Sequence, residues 1–240
     1  MRGMSTSTPS TSVGPRWLYL HGFASGPDSA KGVAVARHYA GQGVHVERLN
    51  LRVPSLEQLR LSAILETVRA AMGGPEERVV LLGSSLGGLT AARMAEQDAR
   101  VCALVLLAPA FRVVPQLRRR MGEAAWQHWQ TSGWIETDDF VTKQKVRIHS
   151  GFIADAEAVD ARTGGWPDVR VPTLIIHGVQ DDTCDVRNSR QWAEGKRHVR
   201  LVEVADGHEL TASLPRILEE TESFLQPWGA RGPGAQSPMP

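Results

Sequence analysis

Ser85 stands between two glycines in the segment Val79-Val80-Leu81-Leu82-Gly83-Ser84-Ser85-Leu86-Gly87-Gly88. The apolar run before it predicts a buried strand, and the residues after it predict a helix. A serine at the tip of so tight a strand-to-helix turn sits at strained backbone angles. Its neighbours two residues away must then be very small, as Gly83 and Gly87 are. The helix N-terminus supplies unpaired N–H groups and a positive partial charge beside the hydroxyl. Gly-x-Ser-x-Gly also arises by chance in loops; here its place between strand and helix marks Ser85 as a candidate nucleophile.

Three further segments complement it. Trp17-Leu18-Tyr19-Leu20-His21-Gly22-Phe23-Ala24-Ser25-Gly26 is a strand ending in His-Gly and a loop of small residues, where His21 reads as a loop-orienting histidine. Pro172-Thr173-Leu174-Ile175-Ile176-His177-Gly178-Val179-Gln180-Asp181-Asp182 is a second strand ending in His-Gly, followed by carboxylates. Asp181 has the usual four-residue spacing from the histidine and is the preferred acid. Asp182 remains an alternative, and Asp182 or Asp185 also suits the cap of a following helix. Val202-Glu203-Val204-Ala205-Asp206-Gly207-His208-Glu209-Leu210 carries a histidine in a loop between a strand and a helix. Such a side chain can take a proton from a hydroxyl and return it within one cycle. His38, His45, His128, His149 and His198 lack comparable surroundings.

The elements that must position these residues alternate. Buried strands are expected at Trp17–Leu20, Val44–Arg48, Val79–Leu82, Val101–Leu107, Thr173–Ile176 and Val199–Val204. Helices are expected at Ser29–Gly41 with Asp28 or Ser29 as cap, at Ser55–Met72 with a Ser55/Gln58 capping box, at Leu86–Asp98 and at Leu214–Leu225. This alternation implies an α/β fold with a mostly parallel sheet covered by helices on both faces. The domain is expected over residues 15–226, with disordered tails at 1–14 and 227–240. Residues 111–171 break the rhythm and hold Trp126, Trp129, Trp134, Phe140, Phe152 and Trp166. They read as a partly helical lid with a hairpin near Trp134–Phe140 and Val146–Ile148, or as an extra layer glued on by aromatics.

Composition narrows the function. The 240 residues are 42% apolar and 22% charged, with a net charge of +1, so no nucleic-acid partner is indicated. The one basic run, Arg118-Arg119-Arg120, reads as a solvated helix face. No run approaches a bilayer span, so no stable membrane insertion is expected. Cys102 and Cys184 suit neither a disulfide framework nor a metal site; Cys102 reads as a buried small hydrophobe, and the cytoplasm is the expected compartment. Neither nucleotide-binding glycine motif follows the first strand, and neither cofactor nor metal is called for.

Leu20 to Lys31, Gly83 to Gly88 and Asp206 to Leu210 resemble the α/β-hydrolase superfamily, within it the small bacterial esterases and the related mitochondrial palmitoyl-thioesterase type. The likeness runs from Trp17 to Leu225, and the order Ser85, Asp181, His208 is the order of that fold. The resemblance implies a catalytic triad of those three residues, with the backbone N–H groups of Phe23 and Leu86 as oxyanion donors. It implies hydrolysis of small- to medium-chain carboxylic esters without a cofactor, or, alternatively, of acyl thioesters. A non-catalytic hydrolase-like binding protein is the reading from another class. Two departures stand out: the two leading strands of larger members are missing, and Cys184-Asp185 replaces the usual Val-Pro after the acid loop. Oligomeric state has no signature in the sequence.

Overall fold

A parallel strand covered on both faces needs apolar side chains at successive positions, because alternate residues point to opposite sides. The computed structural model, which describes residues 14–229, has eight strands. They are β1 (Arg16–Leu20), β2 (Val46–Leu49), β3 (Val79–Ser84), β4 (Val101–Leu107), β5 (Trp134–Asp138), β6 (Lys145–His149), β7 (Thr173–Gly178) and β8 (Val199–Val204). Six form one parallel sheet in the order β2-β1-β3-β4-β7-β8, and β5 and β6 form a separate antiparallel hairpin. The helices are α1 (Ala30–Ala40), α2 (Leu61–Ala71), α3 (Leu86–Gln97), α4 (Val113–Met121), α5 (Glu123–Ser132), α6 (Gly151–Asp160), α7 (Val186–Ala193) and α8 (Leu214–Leu225).

The two faces of the sheet carry separate cores. Leu18, Leu20, Val79 and Leu81 pack with Ile64 and Val68 of α2 and Leu89 of α3. Trp17, Tyr19, Val80 and Leu82 pack with Val35 of α1 and Ile217 of α8. The expected strands and three of the four expected helices therefore form within a few residues of their predicted bounds.

The second helix differs. It begins at Leu61, not Ser55, because the preceding carbonyls are engaged elsewhere. The Glu57 carbonyl accepts from the His149 N–H at 2.8 Å, and the Arg60 guanidinium takes the carbonyls of Gln58 and Leu59 at 3.1 and 2.8 Å. Ser55 does accept the Gln58 N–H at 3.2 Å, but it closes a turn, with Leu56 and Leu59 buried. Ser29 takes the cap position of α1 without a side-chain capping bond. Residues 1–13 and 230–240 of the expected tails lie outside the described residues. Gln226–Trp228, across the expected boundary between domain and second tail, form a 3₁₀ turn in which Trp228 packs on Phe224.

Residues 111–171 supply α4, α5, the β5–β6 hairpin and α6. Trp126, Trp129 and Phe152 are buried in the same core as α2 and α3, and Trp129 Nε1 donates to the Ile148 carbonyl at 2.9 Å. These aromatics thus glue a layer onto the sheet domain, while Phe140 at the hairpin tip is 58% exposed. Among the ion pairs that fasten the layer, two engage its buried carboxylates. Arg93 of α3, itself buried, donates to Asp160 at 2.5 and 3.1 Å. Arg52, just beyond β2, grips Asp139 of the hairpin through two bonds of 2.8 and 2.7 Å.

The Arg52 bond holds the Asp139 carboxyl well below the usual carboxylate range, helped by the Val141 N–H and the Thr142 hydroxyl. A carboxyl whose folded pKa lies below its unfolded value near 4 stabilises fully above that value and loses the contribution as pH falls through the folded one. Asp139→Asn should cost on the order of 2 kcal/mol at pH 7, because it leaves Arg52 without its charge partner. Thermal melts should show the gap from wild type narrowing steadily as pH falls below 4; a gap independent of pH would refute this role.

Candidate functional site

In an open parallel sheet, a crevice forms where successive connections leave a strand toward opposite sides. Here β1 lies between β2 and β3, so the reversal falls at the carboxyl ends of β1 and β3. Leu20 pairs with Gly83, which brings the loop after β1 level with the turn after β3.

Ser85 occupies that turn at φ 54°, a positive value that costs an ordinary side chain about 1–2 kcal/mol. The conformation is fixed from several directions. The Ser85 N–H donates to the Leu107 carbonyl at 2.9 Å, and the Ser85 carbonyl accepts from Gly88, Leu89 and Ala110 at 2.9 to 3.1 Å. A Cβ on Gly83 would collide with the Gly87 carbonyl, and one on Gly87 with the Leu20 carbonyl. Glycine at both positions therefore lets strand, turn and helix close up on one another. The side chain is left facing the crevice.

His208 Nε2 lies 3.1 Å from Ser85 Oγ, and His208 Nδ1 lies 2.8 Å from Asp181 Oδ2. An ionised carboxylate can only accept, so Nδ1 carries the proton and Nε2 is free to accept from the hydroxyl. Asp181 has no exposed side-chain surface, and its bonds are numerous. Oδ1 accepts the N–H groups of Thr183 and Cys184 at 2.8 and 2.7 Å, while His177 Nε2 stands 3.2 Å from Oδ2. Burial alone would raise this carboxyl, but the bonds from His177, His208 and the Cys184 amide outweigh it and hold it well below the usual range. Asp182 is not part of this arrangement; among the described residues it meets only the Thr183 hydroxyl, at 3.2 Å. Asp185 caps α7 by accepting the Arg187 N–H at 3.0 Å.

The loop after β1 abuts the serine: a Cβ on Gly22 would lie 3.2 Å from Ser85 Cβ. The N–H groups of Phe23 and Leu86 have no acceptor among the described residues, and Leu86 opens α3, where intrahelical partners are missing by construction. Both are free to bind an anion forming next to Ser85. His21 behaves as a loop-orienting residue. Nε2 accepts the Leu51 N–H at 3.0 Å, so Nδ1 donates to the Gly22 carbonyl at 2.9 Å, and burial pushes the imidazole below its ordinary pKa.

Several supports had only faint signals in the sequence. His177 is fully buried; Nε2 points at the acceptors Asp181 Oδ2 and Cys184 O, so it carries the proton, and Nδ1 meets the Ser189 hydroxyl at 2.8 Å. It repeats the role of His21, a strand-end histidine that anchors the loop it precedes, and the two His-Gly pairs are the trace of that likeness. Lys31, on α1, is buried and donates to the Glu209 carbonyl at 2.8 Å, bracing the residue after His208. Cys184 Sγ lies 4.0 Å from Ser85 Oγ, with its thiol pushed up to about 12 by burial. It packs as an apolar neighbour of the hydroxyl, which accounts for its place in the acid loop. Gln116 of α4, also buried, accepts the Asp185 N–H at 2.8 Å and so joins the inserted layer to that loop.

A cleft of about 430 Å³, counted to its open mouth, reaches Ser85 between Phe23, Leu86, Cys184 and the α4 residues Val113 and Leu117. Among the described residues no cluster of three His, Cys, Asp or Glu side chains has the arrangement of a metal site. Nor is any described helix long and apolar enough to cross a membrane.

The fold has many solved counterparts. Mouse alpha/beta hydrolase domain-containing protein 10 is 18% identical with a TM-score of 0.73, over 89% of this chain and 90% of its own. Est1E from Butyrivibrio proteoclasticus with ferulic acid bound is 20% identical with a TM-score of 0.73, over 89% of each chain. Monoacylglycerol lipase from Paleococcus ferrophilus is 17% identical with a TM-score of 0.65, over 88% of this chain and 96% of its own. No curated protein matches the chain. Residues 16–226 match the family described as Uncharacterised protein family (UPF0227), and the chain, an α/β hydrolase in its fold, belongs to that family.

Proposed function

We propose that the protein is a serine esterase that cleaves carboxylic esters of small to medium acyl chains through an acyl-enzyme. The observation that carries this reading is the unbroken chain of contacts from Ser85 Oγ to His208 to Asp181, in a cleft also lined by Phe23 and Leu86, whose N–H groups have no acceptor among the described residues. His208 takes the Ser85 proton as the oxygen attacks the ester carbonyl. The Phe23 and Leu86 amides hold the oxyanion, each worth about 10²–10³ in rate on this type of site. The protonated His208, steadied by Asp181, gives its proton to the departing alcohol. It next activates water, which attacks the acyl carbonyl and frees Ser85. The apolar walls of the cleft suit an acyl chain. The esterase and the lipase among the solved counterparts offer precedents on the same fold, at identities that bear on architecture only.

Turnover of 4-nitrophenyl esters with acyl chains of two to sixteen carbons, in wild type and Ser85→Ala, tests the reading. Activity with an optimum at short or medium chains, absent in the variant, is expected; full activity in Ser85→Ala would overturn the assignment. Inactivity on every ester with turnover of acyl-CoA would move the reading to a thioesterase. Inactivity on both would favour a binding protein. Asp181→Asn should lower kcat by about 10⁴, because an amide at that position favours the wrong His208 tautomer, whereas Asp182→Asn should stay within twofold of wild type. Equal losses in the two variants would contradict the assignment of the acid.

A further inference from the structure

Arg118, Arg119 and Arg120 end helix α4, where cations suit the helix dipole. That effect accounts for positive charge at the helix end but not for the face each side chain takes. Arg118 pairs with Glu123 at 2.9 Å, and Arg119 with Asp185 at 3.1 Å. Arg120, exposed, has no carboxylate within ion-pair distance among the described residues, and it lines the cleft that reaches Ser85.

Its position follows from helical spacing. Val113, Gln116, Leu117 and Arg120 recur at i, i+3, i+4 and i+7, which places them on one face of α4, and all four line the cleft. Gln116, held at one end by the Phe111 carbonyl and at the other by the Asp185 N–H, fixes the rotation of that face. The stripe that begins with Val113 thus ends in a guanidinium, the only charged side chain among the described residues of this cleft wall. The carboxylate nearest the chemistry, Asp181, has no exposed side-chain surface and is saturated by its own bonds, so it cannot serve as the partner.

The geometry points to Arg120 as a specificity residue that pairs with an anionic group, a carboxylate or phosphate, carried by the ester substrate. The inference rests on the Ser85 esterase reading and adds a substrate class to it. A planar guanidinium matches either anion through two parallel N–H bonds, and Arg120, exposed on the cleft wall, keeps its donors accessible to a ligand. The anion can belong to the acyl chain or to the departing alcohol, since the cleft opens at Ser85, where the two are joined in the ester.

Two substrate pairs separate those sources. Mono-4-nitrophenyl adipate against 4-nitrophenyl hexanoate places the charge on the acyl side, and 4-butyryloxybenzoate against 4-butyryloxybenzamide places it on the leaving group. The readout is the ratio of kcat/KM, anionic over neutral, for wild type and Arg120→Met. In at least one pair the wild-type ratio should exceed one at low salt and decline as KCl is raised, and Arg120→Met should lower it tenfold or more. The pair that responds identifies the side that bears the charge. A fall of less than tenfold in both pairs, or a wild-type ratio below one in both, overturns the role of Arg120 while leaving the esterase reading intact. Absence of turnover on all four esters would instead remove the esterase reading, and this inference with it.

Discussion

The positive φ of Ser85 is the constraint from which the rest of the site follows. A side-chain residue held at 54° is strained, and the strain persists only where the surroundings leave no alternative. Gly83 and Gly87 remove the atoms that would block the turn, while Leu107, Gly88, Leu89 and Ala110 hold its backbone. The close approach of Gly87 to the end of β1 then brings the Gly22–Phe23 peptide against the serine. One packing requirement therefore positions both the hydroxyl and an N–H group that can meet a forming anion.

The acid half of the site is built differently, by saturation. Each Asp181 oxygen has two donors in reach, from the Thr183 and Cys184 amides and from the two histidines. A carboxylate held in that way keeps its charge despite burial and has no freedom to rotate away from His208. His177 contributes by tying β7, the Cys184 carbonyl and α7 to the same carboxylate. Lys31 and Gln116 act at one further remove, bracing the residue after His208 and the helix that walls the cleft.

The sheet and the grouping of the candidate site residues were legible because they obey local rules. Strands buried on both faces read as apolar runs, and glycines two residues either side of Ser85 are a direct consequence of its conformation. Asp181 could be preferred to Asp182 by spacing, yet only the fold separates them, since adjacent side chains on one loop diverge. The start of α2 was misread because Ser55 and Gln58 satisfy a helix-cap pattern locally, while the carbonyls needed to continue the helix are claimed by Arg60 and by His149 from ninety residues on. Likewise the layer of residues 111–171 follows from long-range contacts, among them Arg52 with Asp139 and Arg93 with Asp160, that no local pattern announces. The basic run is exposed at all three arginines, as expected of a solvated helix face. Its three arginines look alike in sequence, and helical phase alone turns Arg120 toward the cleft.

The most direct test of the account is to catch the covalent intermediate. Wild-type protein mixed with a 4-nitrophenyl ester and quenched in acid within milliseconds, then digested, should yield one acylated peptide, with the acyl group on Ser85. The release of 4-nitrophenol should show a burst equal to the amount of that adduct. Steady turnover with no acylated Ser85 and no burst, under conditions where acylation is the faster step, would contradict the central claim. Acylation at Cys184, 4.0 Å away, would contradict it equally, by moving the nucleophile to the sulfur.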